Sequence, residues 1–513
     1  MISKGATWRS IQYCLLIFLI SLGIRLATLN QMGKTWDEGP YVEIGYHYVE
    51  LALAGKFSDP FWYLQADHPP LARYVYGLAS IPDIKNIAKD GTVFFHYNYT
   101  FPRIVSAIIG SLTVVFIILL GTKYFNNFIA ISSGVIFALI PFFVGLSQLA
   151  TLESFTMFFF TGAIYFFLEF LDRKKQKMAL LAGVFSGLAI LVKQSNILVL
   201  PLIFSLVILH FFYQRRSYKE LKVKIISLLI VGLASVLTFI ALWPMPLFNM
   251  AATWGVQQTM WVDAVKLPPP ERFAGVLILV PWPYYFFMFF ATTPLALIVL
   301  SLIGALKIDR NRKFIGIAII VWFLFSFIQT LYPFKQHGLR YIIQIYAPFS
   351  LLCGIGISYL GEWFTNFKYY KPLSLLAVSA YLVLVLLKIQ PYYLDYFSET
   401  VGGNNNVYQK RLFQMGWWGQ GIGEAAFFIN EREKREVTVA VAGGQPAGVM
   451  PKLKKIKVVY YTKDTDADYV IVPYFDVVRL WFPEYELVGR YKEIHSVMVD
   501  KAKLVKIYER ADR

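Results

Sequence analysis

Cysteine is nearly missing from this 513-residue chain: only Cys14 and Cys353 occur, each inside an apolar run. That excludes a disulfide framework and leaves the redox compartment unread. No CxxC or HxxxH spacing occurs, so no metal site is written in the sequence. Charge is scarce too, 16% of residues against about 25% in soluble domains. Acidic residues are the rarer sign, 32 Asp and Glu against 49 Lys and Arg, for a net charge of +17. Internal repeats and low-complexity tracts are absent. That absence, with few ionisable residues at mid-run, weighs against a transporter or lipid flippase, which is the alternative reading for a chain of this kind.

What remains is apolar: 57% of residues are hydrophobic and the mean hydropathy is +0.52. Apolar runs of about 20 residues, the length that crosses a bilayer, recur along most of the chain. They fall at about Ile11–Leu29, Pro102–Gly121, Phe128–Leu146, Glu153–Leu171, Met178–Val192, Ile197–Tyr213, a stretch ending near Trp243, Pro281–Leu306, Phe314–Leu331, Tyr341–Leu360 and Leu373–Lys388. The pattern predicts a polytopic α-helical membrane protein with about eleven spans. The first run is too long for a signal-peptide core and reads as a retained span. Lys and Arg crowd the loops 172–177, 214–224 and 307–313. By the positive-inside rule those loops and the N-terminus are cytoplasmic. This basic bias reads as topology and contact with anionic membrane lipid rather than as nucleic-acid binding. The loops 30–100 and 244–280 and everything after 388 then lie outside.

Beyond residue 388 the character changes. A linker is expected over 389–422, with a Gly/Asn-rich stretch at Gly402–Asn406, then a small α/β domain over 423–513. Strand patterns fall at Val437–Ala442, Lys455–Tyr461, Tyr469–Val472 and Lys503–Tyr508, and a helical pattern at Gly423–Glu433.

Polar chemistry concentrates on the outer side. Thr35-Trp36-Asp37-Glu38 places two acids just after the first span. Thr35 and Glu38 have capping-box spacing, and Asp37 in a first helical turn favours the helix dipole, which by itself accounts for both acids. Asp67-His68-Pro69-Pro70-Leu71-Ala72-Arg73 forces an extended turn into a short helix. Arg103 and Glu153 open two spans, Lys193 sits between two others, and Lys335, His337 and Arg340 precede another. Each alone is accommodated by snorkelling. Together they set Asp37, Glu38 and Glu153 on one face with Arg103, Lys193, Lys335 and Arg340, an arrangement suited to an anionic headgroup beside a general base.

In order and spacing these motifs resemble the GT-C integral-membrane glycosyltransferases, in the protein O-mannosyltransferase-like branch, with the aminoarabinose and arabinofuranosyl transferases beyond it. The likeness rests on Asp37-Glu38, His68-Pro69-Pro70-Leu71, Phe101-Pro102-Arg103, Thr151-Leu152-Glu153-Ser154 (Glu for the family's Asp), Gly187 to Lys193, and Lys335 to Tyr341, and runs to about residue 360. The chain departs from the eukaryotic mannosyltransferases in having no stretch that fits their MIR domain. Gly416-Trp417-Trp418-Gly419 looks more like prokaryotic relatives, which implies a prokaryotic cell membrane.

The resemblance implies a GT-C catalytic domain over 1–388 and a polyprenyl-phosphate sugar as donor. It also implies inverting transfer to a hydroxyl of a protein, lipid or glycan. Catalytic candidates are Asp37, Glu38 and Glu153. Neighbouring residues on a helix point about 100° apart, so the two adjacent acids cannot serve one hydroxyl; Asp37 is the expected base and Glu38 the support. Arg103, Lys193, Lys335, Arg340, His68 and Arg73 are the donor- and substrate-binding candidates. Trp254, Trp261, Trp417 and Trp418 either stack on sugar or form an interfacial belt. No cofactor is certain; a divalent metal ion is allowed for.

Overall fold

The computed structural model describes residues 4–64, 67–83, 99–213, 218–266, 270–308, 313–331, 338–360, 369–443, 449–451 and 453–513. Among them, seven helices are long and apolar enough to cross a membrane: Ser10–Ala27, Thr100–Tyr124, Glu153–Arg173, Gln194–Tyr213, Leu221–Leu242, Gly338–Leu360 and Tyr370–Ile389. Two bent pairs raise the number to nine if each is one span. Asn127–Leu139 and Pro141–Ser147 meet at 63°, and Tyr284–Thr292 and Leu295–Leu306 at 113°. Each break falls where a proline removes an N–H and disfavours helix in the residue before it: Ile140 precedes Pro141, and Thr293 precedes Pro294, both with extended backbone. The expected straight span Pro281–Leu306 is therefore two helices. The runs at Met178–Val192 and Phe314–Leu331 are shorter apolar helices, Gln176–Val192 and Lys313–Ile328. Among the described residues up to nine spans, counting each bent pair as one, pass by length and composition, and two more of the expected runs are the shorter apolar helices.

The loop after the first span folds onto one end of this bundle. Helix Glu38–Leu53 lies against helix Leu71–Ala79. Their approach is backbone to backbone: a Cβ on Gly45 would strike the Arg73 carbonyl, and one on Gly77 the Gly45 carbonyl. Glycine at both positions is what lets the His-Pro-Pro turn, at the head of the second helix, sit beside the start of the first.

Residues 390–421 are no free tether. Tyr392–Phe397, Met415, Trp417 and Trp418 are buried in the main core. The Gly/Asn-rich stretch expected as linker is instead a helix, Gly403–Lys410. Its asparagines serve as local fasteners: Asn404 Oδ1 accepts from Phe397 N–H at 2.8 Å and Asn406 Nδ2 donates to the Val401 carbonyl at 2.7 Å.

The C-terminal region is an α/β layer. Helix Ile422–Arg432 packs on a five-stranded sheet in the order Ile456–Tyr460, Val437–Val441, Tyr469–Pro473, Ala502–Arg510, Tyr491–Val499. The first three strands are parallel and the last two join antiparallel. The four strands read from sequence are present within a residue or two. Strand Tyr491–Val499 was not expected: it is an edge strand with two register irregularities, so its apolar residues do not alternate cleanly.

Candidate active site

Segment 28–37 is irregular, so its polar groups need partners outside a helix ladder. Helix Glu38–Leu53 starts directly after Asp37, which stands at the N-cap position yet makes no side-chain capping bond. Its carboxylate turns instead to Arg340, whose Nη1 donates to Oδ2 at 2.6 Å. The Asp37 side chain keeps 20% of its surface exposed.

Glu38 takes the opposite role. It is wholly buried, and its carboxylate accepts from Thr35 N–H and Oγ1 (3.0 Å each), Ala150 N–H (3.0 Å), and Arg103 Nε and Nη2 (2.7 and 2.6 Å). Burial alone would raise its pKa; the Arg103 charge and the N–H groups outweigh that and hold it below the ordinary glutamate value. Arg103 spends its remaining N–H groups on the carbonyls of Leu29, Met32 and Gly33. A guanidinium has five N–H donors, and all five here face protein. In this structure Arg103, expected as a donor-phosphate ligand, clamps the loop. Arg73 is likewise turned away. It is fully buried, bidentate on Asp67 (2.7 and 2.8 Å) and bonded to the His68 carbonyl. It braces the His-Pro-Pro turn.

The other candidates converge around Asp37. Glu153 opens helix Glu153–Arg173, three residues past the Ala150 N–H that Glu38 holds. Its Oε1 lies 3.9 Å from Lys193 Nζ. Lys193 is the break between two helices, and its loop is pinned by Asn196 Nδ2, which donates to the Ala189 carbonyl (2.8 Å) and Thr156 Oγ1 (3.1 Å). Burial pulls the Lys193 ammonium down to about 8, with Arg340 acting the same way and Glu153 opposing. The ammonium sits 4.1 Å over the Tyr341 ring. Arg340 packs its guanidinium over Tyr341 (5.0 Å), Trp418 (4.9 Å) and Trp417 (5.9 Å). His68 is half-buried, 3.4 Å from Gln194 Oε1 and 5.9 Å from the Tyr41 ring. Burial, aided by Arg73 and Lys193, pushes the imidazole down to about 4, so it is neutral at neutral pH. Lys335 and His337 lie outside the described residues. Trp417 and Trp418 belong to this cluster, whereas Trp254 is 64% exposed and stands apart from it.

Two residues of the cluster were not foreseen. Tyr41 is buried, and burial together with Asp37 drives its hydroxyl pKa well up. The signal was available: Tyr41 follows Asp37 by four residues and so shares its helix face. Tyr341 adjoins Arg340 and forms the aromatic wall beside both cations. A divalent ion fits poorly. Among the described residues no group of three or more His, Cys, Asp or Glu side chains gathers, and the two open carboxylates already face Arg340 and Lys193.

The fold can now be compared with known proteins. Along its whole length the chain superposes on ArnT from Cupriavidus metallidurans bound to undecaprenyl phosphate, with a TM-score of 0.51, 12% identity and 98% of each chain covered. Residues 15–242 match the family model for dolichyl-phosphate-mannose-protein mannosyltransferase. The chain shares the fold of that membrane protein, and its first half is similar to the mannosyltransferase family. The chain is also similar to the oligosaccharyltransferase AglB from Archaeoglobus fulgidus in complex with an inhibitory peptide and a dolichol-phosphate (TM-score 0.46, 13% identity, 92% of this chain and 70% of that one). It matches the protein O-mannosyltransferase Pmt1-Pmt2 complex of S. cerevisiae over 51% of its own length and 34% of that chain, at 18% identity and TM-score 0.34. No curated protein sequence matches it. The segment matched by the family model, residues 15–242, holds Asp37, His68, Glu153 and Lys193.

Proposed function

We propose that the protein is a membrane glycosyltransferase that moves a sugar from a polyprenyl-phosphate donor to an acceptor hydroxyl on the extracytoplasmic face, with inversion, and that Asp37 is the base. The observation that carries this is the division of labour between adjacent acids. Glu38 is consumed by five hydrogen bonds, while Asp37 leaves its capping position uncapped and presents a part-exposed carboxylate to two buried cations.

Asp37 takes the proton as the acceptor oxygen bonds to the anomeric carbon. The bond from that carbon to the phosphate oxygen breaks, and the lipid phosphate departs with one more negative charge than it held in the donor. One base suffices for this; a second nucleophilic carboxylate is not required. Arg340 and Lys193 are the cations for the growing phosphate charge, effective because they are buried. Glu153 keeps Lys193 charged and orients the acceptor. His68, neutral, contacts sugar hydroxyls, and Trp417 and Trp418 wall the site. Lys335 is retained as a donor-binding candidate on its motif. No step runs through a metal, and nucleic acid has no place in the scheme. The acceptor is a protein, lipid or glycan hydroxyl in a prokaryotic cell envelope.

The test is to incubate purified enzyme with a panel of polyprenyl-phosphate sugars and follow free lipid phosphate. Release from one or more members is expected. Release from none, with an intact folded enzyme, would sink the assignment.

A further inference from the structure

Residues 32–36 receive three ties from a segment almost four hundred positions away. Trp36 N–H donates to the Trp418 carbonyl at 3.1 Å. Gly33 N–H donates to Glu424 Oε1 at 2.9 Å. Gln420 Nε2 lies 3.6 Å from Met32 Sδ. The C-terminal side of this contact, which accepts from Trp36 and Gly33, is shaped by left-handed glycines. Gly419 and Gly421 have φ of 79° and 87°, and a Cβ there would press on Val449 and Val505. They swing the chain so that the Trp418 carbonyl and the first turn of helix Ile422–Arg432, which holds Glu424, both face the loop. Tyr392 supports the Glu424 carboxylate from behind.

The tie continues inward. The Gly33 carbonyl accepts from Arg103 Nη2 at 2.8 Å, and Arg103 grips Glu38, the residue beside Asp37. Both sides of Gly33 are therefore held, its N–H by Glu424 and its carbonyl by Arg103. We propose that Glu424 is a positioning residue for the reaction: the C-terminal α/β domain sets the place of the base through the path Glu424, Gly33, Arg103, Glu38. The proposal rests on the reading of Asp37 as base. Among the described residues Glu424 bonds the loop at Gly33, and its effect passes through that loop. A base displaced by about 1 Å is enough to cost one to two orders of magnitude in rate.

Full-length Glu424→Ala and Glu424→Gln are compared with wild type on the donor that wild type uses. In Glu424→Ala, kcat is expected to fall about tenfold or more with the donor KM within about twofold. Glu424→Gln, which keeps an oxygen for Gly33 N–H, is expected to recover most of the rate. Backbone hydrogen exchange over residues 32–38 should quicken in Glu424→Ala and not in Glu424→Gln. Unchanged kcat and exchange in Glu424→Ala would overturn the proposal. So would equal loss in both variants, or kcat, KM and thermal midpoint failing together, since Glu424 would then only hold the fold. The exchange readout does not depend on which residue is the base. If Asp37→Asn stayed active while exchange behaved as expected, the base assignment alone would fall.

Discussion

The helices Thr100–Tyr124 and Glu153–Arg173 carry ionic clusters at both ends, and the two clusters are built differently. At the far end Lys123 bonds Glu169 (2.5 Å) and Asp172 (2.8 Å), and Arg173 bonds Glu169 one turn away (2.6 Å). Every charge there has a direct partner, and Arg173 is 51% exposed. At the near end Arg340 and Lys193 are buried against aromatic rings, and Lys193 stops 3.9 Å from Glu153. Part-exposed, fully matched pairs of this kind, here gathered on the buried Glu169, contribute about 0–1 kcal/mol each and stabilise a helix end. The Arg340–Asp37 bond at the near end is as short, 2.6 Å, but Lys193 meets its carboxylate only at 3.9 Å, and a buried cation so placed attracts an arriving anion strongly. Composition is nearly the same at the two ends; burial and spacing separate architecture from chemistry.

Substitutions matched between the ends put that contrast at risk. The largest effect is expected for Asp37→Asn, which should cut lipid-phosphate release about 10²–10⁴-fold, the usual worth of a general base. Its counterpart Asp172→Asn should leave the rate within about twofold. Comparable loss in both would erase the distinction. Next, Arg340→Gln should lower kcat about 10²–10³-fold through lost stabilisation of the leaving phosphate. Arg173→Gln should cost only about 0.3–0.5 kcal/mol of stability, read by thermal unfolding. The smallest effect concerns pH. The Lys193 ammonium, pulled down to about 8, is charged below that pH and loses its proton above it. Rate should therefore fall as pH rises through about 8, and Lys193→Arg should remove that limb. A limb unmoved by Lys193→Arg would assign it elsewhere.

The membrane-spanning plan was legible because apolar length is a one-dimensional property, and the nine spans or bent pairs fall on runs read from sequence. The bends were less so: a proline marks a break but not its angle. Splitting Asp37 from Glu38 needed only the helical repeat, and the geometry keeps them apart in that sense. Arg103 shows the limit. An arginine at the head of a span reads as a phosphate ligand, yet which way a guanidinium turns is decided by carbonyls of another segment, here Leu29, Met32 and Gly33. Arg73 is turned in the same way, by Asp67. The Gly/Asn-rich stretch became a helix because neighbouring backbone groups took up its asparagine side chains, a tertiary matter that propensity does not register.

The bond from Gly33 to Glu424 also orders events in time. The two residues are 391 positions apart. A chain emerging N-terminus first inserts its opening span and exposes the loop bearing Asp37 long before Glu424 and Trp418 exist to hold it. The Asp37 loop is thus made early and fastened late, and in a half-made chain it stays unfastened until the α/β domain has folded.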